Sequence, residues 1–362
     1  MRRNLLKCAD KMAHTLFSNL IDWSKNQYSH LPWREKRTLY KTLVSEIMLQ
    51  QTTVGTVLNH FERFLAEYPT IQDLANTTEE QVCISWKGLG YYRRARSLRN
   101  VAIQVVEDFK GQIPTNLDDL QTLKGIGPYT ANAIVAIGAD KKALAVDANL
   151  ERVLARFYGI DVEKGLKLQK RLWSDFAHKK IMAEMDGLSA RAINEAMMDL
   201  GRIICQARKA SCVLCPLAPK CKAKASGDPL QYPVEGAKKE SEDLFIKTLR
   251  VVVREKKKIL VYQKGAKEWL SGQWELPTFI LETNDEKLKQ YPHIKIKQNF
   301  EKLPYVKTGI TKYNIHNYIL EMSLEEFEKM TKKIEIVYEF KTNDEKLNMS
   351  TATQKVFKVL NK

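Results

Sequence analysis

The chain has 362 residues, 44% of them hydrophobic, and a formal charge of +16. Such a length supports about two hydrophobic cores, and such a charge suits a polyanionic partner. No apolar run approaches the length of a membrane span, which excludes a helical membrane protein. The first 17 residues carry basic side chains but no long apolar stretch and no small-residue cleavage site. They read as the first helix of the fold rather than as a leader. Cys8 and Cys83 sit in helix-like contexts and read as ordinary buried thiols.

From there to about residue 224 the pattern is helical with short breaks. Leu43, Val44, Ile47 and Met48 form one stripe, with Glu46 pointing away from it, where a glutamate is ordinarily just solvated. Val57–Tyr68, Val101–Phe109 and Ala131–Ile137 repeat the three- and four-residue apolar spacing. Between the last two lies Leu123-Lys124-Gly125-Ile126-Gly127-Pro128-Tyr129-Thr130. Gly125 and Gly127 allow a tight turn, and Pro128 suits the first turn of the next helix. Backbone N–H groups of such a turn can hold a phosphate, although a bare G-x-G is more often an ordinary helix–helix connection. Asp147, ahead of an apolar helical run, suits a helix cap.

Cys205-x6-Cys212-x2-Cys215-x5-Cys221 follows. In a reducing compartment, clustered cysteines mean metal rather than disulfides. Zinc and a [4Fe–4S] cluster both fit four thiolates, but a zinc ribbon ordinarily offers two C-x2-C pairs and this stretch has one. Arg202, Arg208, Lys209, Lys220, Lys222 and Lys224 surround the cysteines, with no acid between Arg202 and Gly227. That cationic loop suits a phosphate backbone. Residues 1–224 thus read as a helical domain and 225–242, rich in Lys, Gly, Pro and Ser, as a linker. Residues 243–362 read as a smaller α+β domain, with strands at Thr248–Val253, Ile259–Tyr262 and Val306–Leu320 and helices at Leu324–Lys332 and Ser350–Leu360.

Three strings carry a family resemblance. The segment around Gly125 and Gly127, with Asp147 about twenty residues on, resembles the helix-hairpin-helix of DNA repair glycosylases. The four-cysteine loop narrows the match to the endonuclease III and adenine glycosylase branch. Ser45-Glu46-Ile47-Met48-Leu49-Gln50-Gln51-Thr52, with Leu31-Pro32-Trp33-Arg34 before it and Gly88-Leu89-Gly90-Tyr91-Tyr92 after it, closely resembles MutY-type adenine DNA glycosylases. The resemblance runs from about Leu31 to Cys221.

It implies a mainly α helix-hairpin-helix glycosylase domain with a [4Fe–4S] loop on Cys205, Cys212, Cys215 and Cys221. It also implies removal of adenine mispaired with 8-oxoguanine or guanine in double-stranded DNA, by an intracellular, monomeric enzyme with no membrane partner. Glu46 is then the general acid that protonates adenine N7. Asp147 stabilises or traps the sugar cation, as carboxylates do in glycoside hydrolysis. Tyr129 sits against that carboxylate, and Asn149 positions it with water. Gln51 wedges into the vacated stack, Tyr91 intercalates on the opposite strand, and Arg34 and Glu195 line the adenine pocket. Thr52, Leu89, Gly125 and Gly127 complete the DNA contacts. An apolar pocket is expected to raise the pKa of Glu46, and helix-terminus amides to lower that of Asp147.

Lyase relatives carry a lysine where this chain has Tyr129, so a monofunctional glycosylase is expected, although Lys124 and Lys141 lie nearby in sequence. Family members usually have glycine after the aspartate; here it is Ala148, which a helix-start conformation accepts. Gly272-Gln273-Trp274-Glu275-Leu276-Pro277 resembles the entry to a Nudix-type sheet, but the glutamate-rich magnesium helix is missing. In adenine glycosylases this domain reads 8-oxoguanine with a strand-end loop. Ile310-Thr311-Lys312 corresponds to it and keeps only the hydroxyl of Thr311. An endonuclease III-like lyase, a catalytically silent DNA-binding module and a Nudix hydrolase are the competing readings.

Overall fold

The computed structural model describes residues 16–177, 181–236, 243–265, 267–332, 334–342 and 347–360. Cys8 and the start of the expected first helix lie outside them, and the described part of that helix, α1, covers residues 16–25. The chain forms two compact units, Met1–Ala237 and Lys238–Lys362.

The first unit is helical: α2 (Leu39–Leu49), α3 (Val54–Glu67), α4 (Ile71–Asn76), α5 (Glu79–Ser85), α6 (Arg93–Phe109), α7 (Leu117–Thr122), α8 (Pro128–Ala133), α9 (Ala148–Tyr158), α10 (Leu166–Ala177), α11 (Ala190–Ile203) and α12 (Lys222–Ala225). Threonines set several starts. Thr38, Thr53, Thr70 and Thr78 each cap a helix, and the last two form reciprocal capping boxes with Asp73 and Gln81. Val101–Phe109 proves to be the second half of α6, because the basic run Arg93–Arg99 hides the first half from an apolar-periodicity reading. The expected helix Ala131–Ile137 is α8 followed by a π-helical turn at Ile134–Gly138.

Two apolar cores organise this unit. Leu43, Phe61, Phe64, Trp86 and Leu98 centre one, built on α2 to α8. Phe17, Leu150, Leu154, Leu172 and Met197 centre the other, built on α1 and α9 to α11. Glu46 stands on the first and Asp147 enters the second. Residues 222–236 also belong to this unit: Val234 bridges Glu163, and Arg156 Nε donates to the Tyr232 carbonyl at 2.9 Å.

The second unit holds β1 (Leu244–Val252), β2 (Arg254–Glu255), β3 (Lys258–Gln263), β4 (Trp274–Glu275), β5 (Thr278–Thr283), β6 (Tyr305–Ile310), β7 (Tyr313–Glu321), α13 (Leu324–Thr331), β8 (Glu339–Thr342) and α14 (Thr351–Leu360). One sheet has the order β5-β1-β7-β6, with β1 parallel to β7 and the other pairs antiparallel. The other has the order β2-β3-β4, with β8 also on β3. The β-rich run Val306–Leu320 is a hairpin of β6 and β7, which turns at Thr311-Lys312 with Thr311 at φ 52°, where the strand-end loop was expected.

A charged cluster lies in the second unit's interior. Glu275 accepts from Arg250 Nη1 at 2.8 Å, Lys264 Nζ at 2.9 Å, Ser350 Oγ at 2.9 Å and Tyr291 OH at 3.1 Å. Burial opposes ionisation of Glu275, but the two cations outweigh it and hold its pKa down at about 2. Removing the anion strands two buried cations, which ordinarily costs about 3–5 kcal/mol. Glu275→Gln is therefore expected to lower the urea midpoint read from fluorescence of Trp269 and Trp274. In the wild type this contribution is present above pH ~4.5, the ordinary carboxyl value, and lost as pH falls toward about 2. A midpoint unchanged by the substitution overturns the assignment.

Candidate active site in the helical cleft

Helix α2 is buried from Thr42 to Met48, so Glu46 is only 6% exposed although it lies off the apolar stripe. Desolvation pushes its pKa up to about 7; a hydrogen bond from Tyr129 works against this, and Asp147 and Glu195 add to it. Tyr129 OH donates to Glu46 Oε2 at 2.6 Å, so its partner is Glu46 rather than the Asp147 carboxylate expected for it. The two residues meet because Pro128 opens α8 beside α2.

Asp147 is the N-cap of α9. Its Oδ1 accepts from the amides of Asn149 and Leu150 at 2.9 and 2.7 Å, and Oδ2 from Asn149 Nδ2 at 2.7 Å. The expectation that these amides lower its pKa fails in net direction. Burial outweighs them, and the group lies above its ordinary value. Ala148 is the first helical residue and takes no left-handed conformation, as expected.

Glu46, Tyr129, Asp147 and Asn149 line one cleft of about 690 Å³, together with Gln51, Thr52, Met198 and Arg202. Arg34 and Glu195 are not in its lining. Arg34 instead forms a bidentate pair with Asp199, at 2.8 and 2.9 Å, and lies 3.4 Å from Glu195, which also binds Arg37. Asp199 and Arg37 were missed from sequence. The signal for Asp199 was an acid one turn from Glu195 on an apolar helix, where a fully buried carboxylate demands a cation. Arg202 was read only as part of the basic loop, but its guanidinium stacks over Tyr28 at 4.7 Å and borders the cleft.

The hairpin places Gly125 at φ 116°, where an added Cβ meets Ser97 Oγ at 2.2 Å; a Cβ at Gly127 meets nothing within 4 Å. Gln51 and Tyr91 are exposed, both with left-handed backbone, at φ 53° and 47°. Thr52 faces inward, with its Oγ1 accepting from Arg94 at 2.9 Å, and the Leu89 side chain is buried. In the second unit Thr311 is exposed and donates to its own neighbour, the Ile310 carbonyl, at 2.7 Å.

Cys205, Cys212, Cys215 and Cys221 line one small cavity with Arg156. Among the described residues no group of three or more His, Cys, Asp or Glu is arranged to hold a single metal ion. Burial, chiefly, pushes Cys215 up to about 11, and the other three thiols add to it. Arg152 ties this loop to the cleft: it donates to the Cys205 carbonyl at 2.7 Å and to Asn149 Oδ1 at 2.9 Å.

Comparison with known proteins agrees with this geometry. Residues 44–178 match the HhH-GPD superfamily base excision DNA repair protein model. The chain is 30% identical over 351 residues to the adenine DNA glycosylase of Buchnera aphidicola subsp. Schizaphis graminum, covering 95% of this chain and 98% of that one. It is 35% identical over 236 residues to the human adenine DNA glycosylase, covering 62% of this chain and 42% of the longer human one. A solved thermostable thymine-DNA glycosylase superposes on 60% of this chain and 99% of its own, with a TM-score of 0.52 at 30% identity. The fold is that of a helix-hairpin-helix base excision repair glycosylase. Within that class the chain belongs to the adenine DNA glycosylases, hydrolases of the N-glycosyl bond. Among the described residues no helix is long and apolar enough to cross a membrane.

Glu46→Gln should separate stability from chemistry. A carboxyl whose folded pKa is raised contributes least once ionised, so the wild type loses stability as pH rises from ~4.5 through about 7. The variant escapes that loss and should be more stable than wild type at pH 8 by on the order of 3 kcal/mol, with little difference at pH 5. Thermal unfolding at the two pH values measures it; equal differences at both would show that Glu46 is not desolvated.

Proposed function

We propose that the enzyme is monofunctional and removes adenine from mispairs with 8-oxoguanine or guanine. The observation that carries the chemistry is Glu46, buried, bonded to Tyr129, and facing the capped Asp147 across one cleft. The adenosine must leave the stack to enter it, at a cost of a few kcal/mol. Protonated Glu46 donates to adenine N7, and the C1′–N9 bond breaks with its electron pair leaving on the base. Ionised Asp147 stabilises or traps the sugar cation. Water ordered with Asn149 then adds at C1′ and loses a proton. Gln51 and Tyr91 fill the space left in the duplex, and the backbone amides at Gly125 and Gly127 hold a phosphate. Arg34 and Glu195 act on the base from their ion network beside the cleft. Among the described residues the cleft lining contains no lysine; Lys141 Nζ is engaged by Thr115 at 2.6 Å, and Lys124 also lies outside the lining. Both facts support a glycosylase without lyase chemistry.

The second unit is proposed to be a Nudix-like lesion reader, with Thr311 at the β6–β7 turn facing 8-oxoguanine. The four cysteines, with a single C-x2-C pair, fit a [4Fe–4S] cluster better than a zinc ribbon, which ordinarily offers two such pairs. Cys205, Cys212, Cys215 and Cys221 would hold the cluster, and its bonds to them would staple the loop after α11. Purified protein should be brown, with iron and sulfide near four per chain; one zinc and no iron after anaerobic purification would sink the assignment.

The catalytic roles are tested by single-turnover excision from duplexes with adenine opposite 8-oxoguanine. Glu46→Gln and Asp147→Asn should each lose at least several kcal/mol of transition-state stabilisation while binding the mispair nearly as tightly. The wild-type rate should fall as pH rises through about 7, where Glu46 gives up its proton. Near wild-type excision by either variant removes that residue from the mechanism.

A further inference from the structure

Arg94, on the first turn of α6, is buried at 8% exposure and pairs with no carboxylate among its hydrogen-bond partners. Its guanidinium is spent on backbone instead. Nη1 donates to the carbonyls of Ile47 at 3.0 Å and Met48 at 2.8 Å, and to that of Gln50. Nη2 donates to Thr52 Oγ1 at 2.9 Å and to the carbonyls of Leu89 at 2.9 Å and Gly90 at 3.2 Å. One side chain therefore completes the open end of α2 and clasps the 89–91 loop to it.

The two segments it joins end in the exposed residues with left-handed backbone, Gln51 and Tyr91. For a residue with a Cβ that conformation is strained, so it persists only where neighbours enforce it. The carbonyl end of α2 is also its negative pole, and it points toward Gln51. An unneutralised pole there would repel a phosphate strand, and the guanidinium cancels it.

We propose that Arg94 is the positioning residue for base extrusion: it presets Gln51 and Tyr91 as one rigid pair of wedges and removes the helix-end charge that would face DNA. The proposal rests on the reading that Gln51 and Tyr91 enter the duplex.

The test is a cycle in the full-length protein. Arg94→Gln is combined with the Gln51→Ala/Tyr91→Ala pair, and extrusion is read by 2-aminopurine fluorescence beside the target adenine, with single-turnover excision measured in parallel. Arg94→Gln alone should reduce both signals by roughly ten- to a hundredfold, the worth of a few charged hydrogen bonds, with affinity for undamaged duplex changed far less. Added to the alanine pair it should cost less than about twofold, because the wedges it positions are gone. An equal loss in both backgrounds, or none in the wild type, overturns the proposal while leaving the wedge reading intact. A wild-type extrusion signal from the alanine pair overturns the wedge reading and this proposal with it. Arg94→Lys, which keeps charge and a donor, carries the same cycle if the glutamine variant unfolds, and should recover part of the signal.

Discussion

Desolvation of two carboxyl groups in one cleft is the constraint around which the helical unit is arranged. Glu46 and Asp147 are both removed from water, and both lie above their ordinary pKa values because burial dominates. They differ in what opposes that burial. Asp147 has two backbone amides and an amide side chain fixed on it by the start of α9. Glu46 has one phenol. Within a helix the backbone N–H groups left free to donate are those of the first turn, so the residue at the helix mouth is the better-solvated anion. The residue in mid-helix has its own amides committed to the helix and depends on a borrowed hydroxyl.

The cations near the site obey the same logic. Arg34 and Arg37 are consumed by Glu195 and Asp199 beside the cleft. Arg152 and Arg156 are consumed by carbonyls of the cysteine loop and by Asn149. Arg94 is consumed by α2. Arg94, Arg152 and Arg156 thus act as multidentate donors to backbone, a role their planar fork suits and a lysine would fill poorly. The chain's large positive charge is therefore only partly a surface property.

Much of this was legible in the sequence where local chemistry fixes local structure. The cap at Asp147, Pro128 at a helix start and the turn at Gly125 follow from backbone rules that need no tertiary context. The strings around Glu46, Gly125 and the cysteines carried the family. What could not be read was which side chains meet across elements. Tyr129 binds Glu46 because α8 packs on α2, and no spacing encodes that distance of 83 residues. Burial of Glu46 depended on apolar residues from other helices covering both sides of α2. In the second unit β2, β5 and β8 escaped notice because β2 and β8 are short and largely open to water, and β5 follows a proline.

Thr311, at the β6–β7 turn, shares its left-handed backbone with Gln51 and Tyr91. Thr311 spends its hydroxyl proton on the carbonyl before it, leaving the oxygen lone pairs outward. A hydroxyl held that way has lone pairs to offer and so accepts from an N–H group. In the lesion-reading role proposed for Thr311 it would tell the two bases apart by proton polarity rather than by shape, because oxidation of guanine at C8 replaces an acceptor at N7 with an N–H.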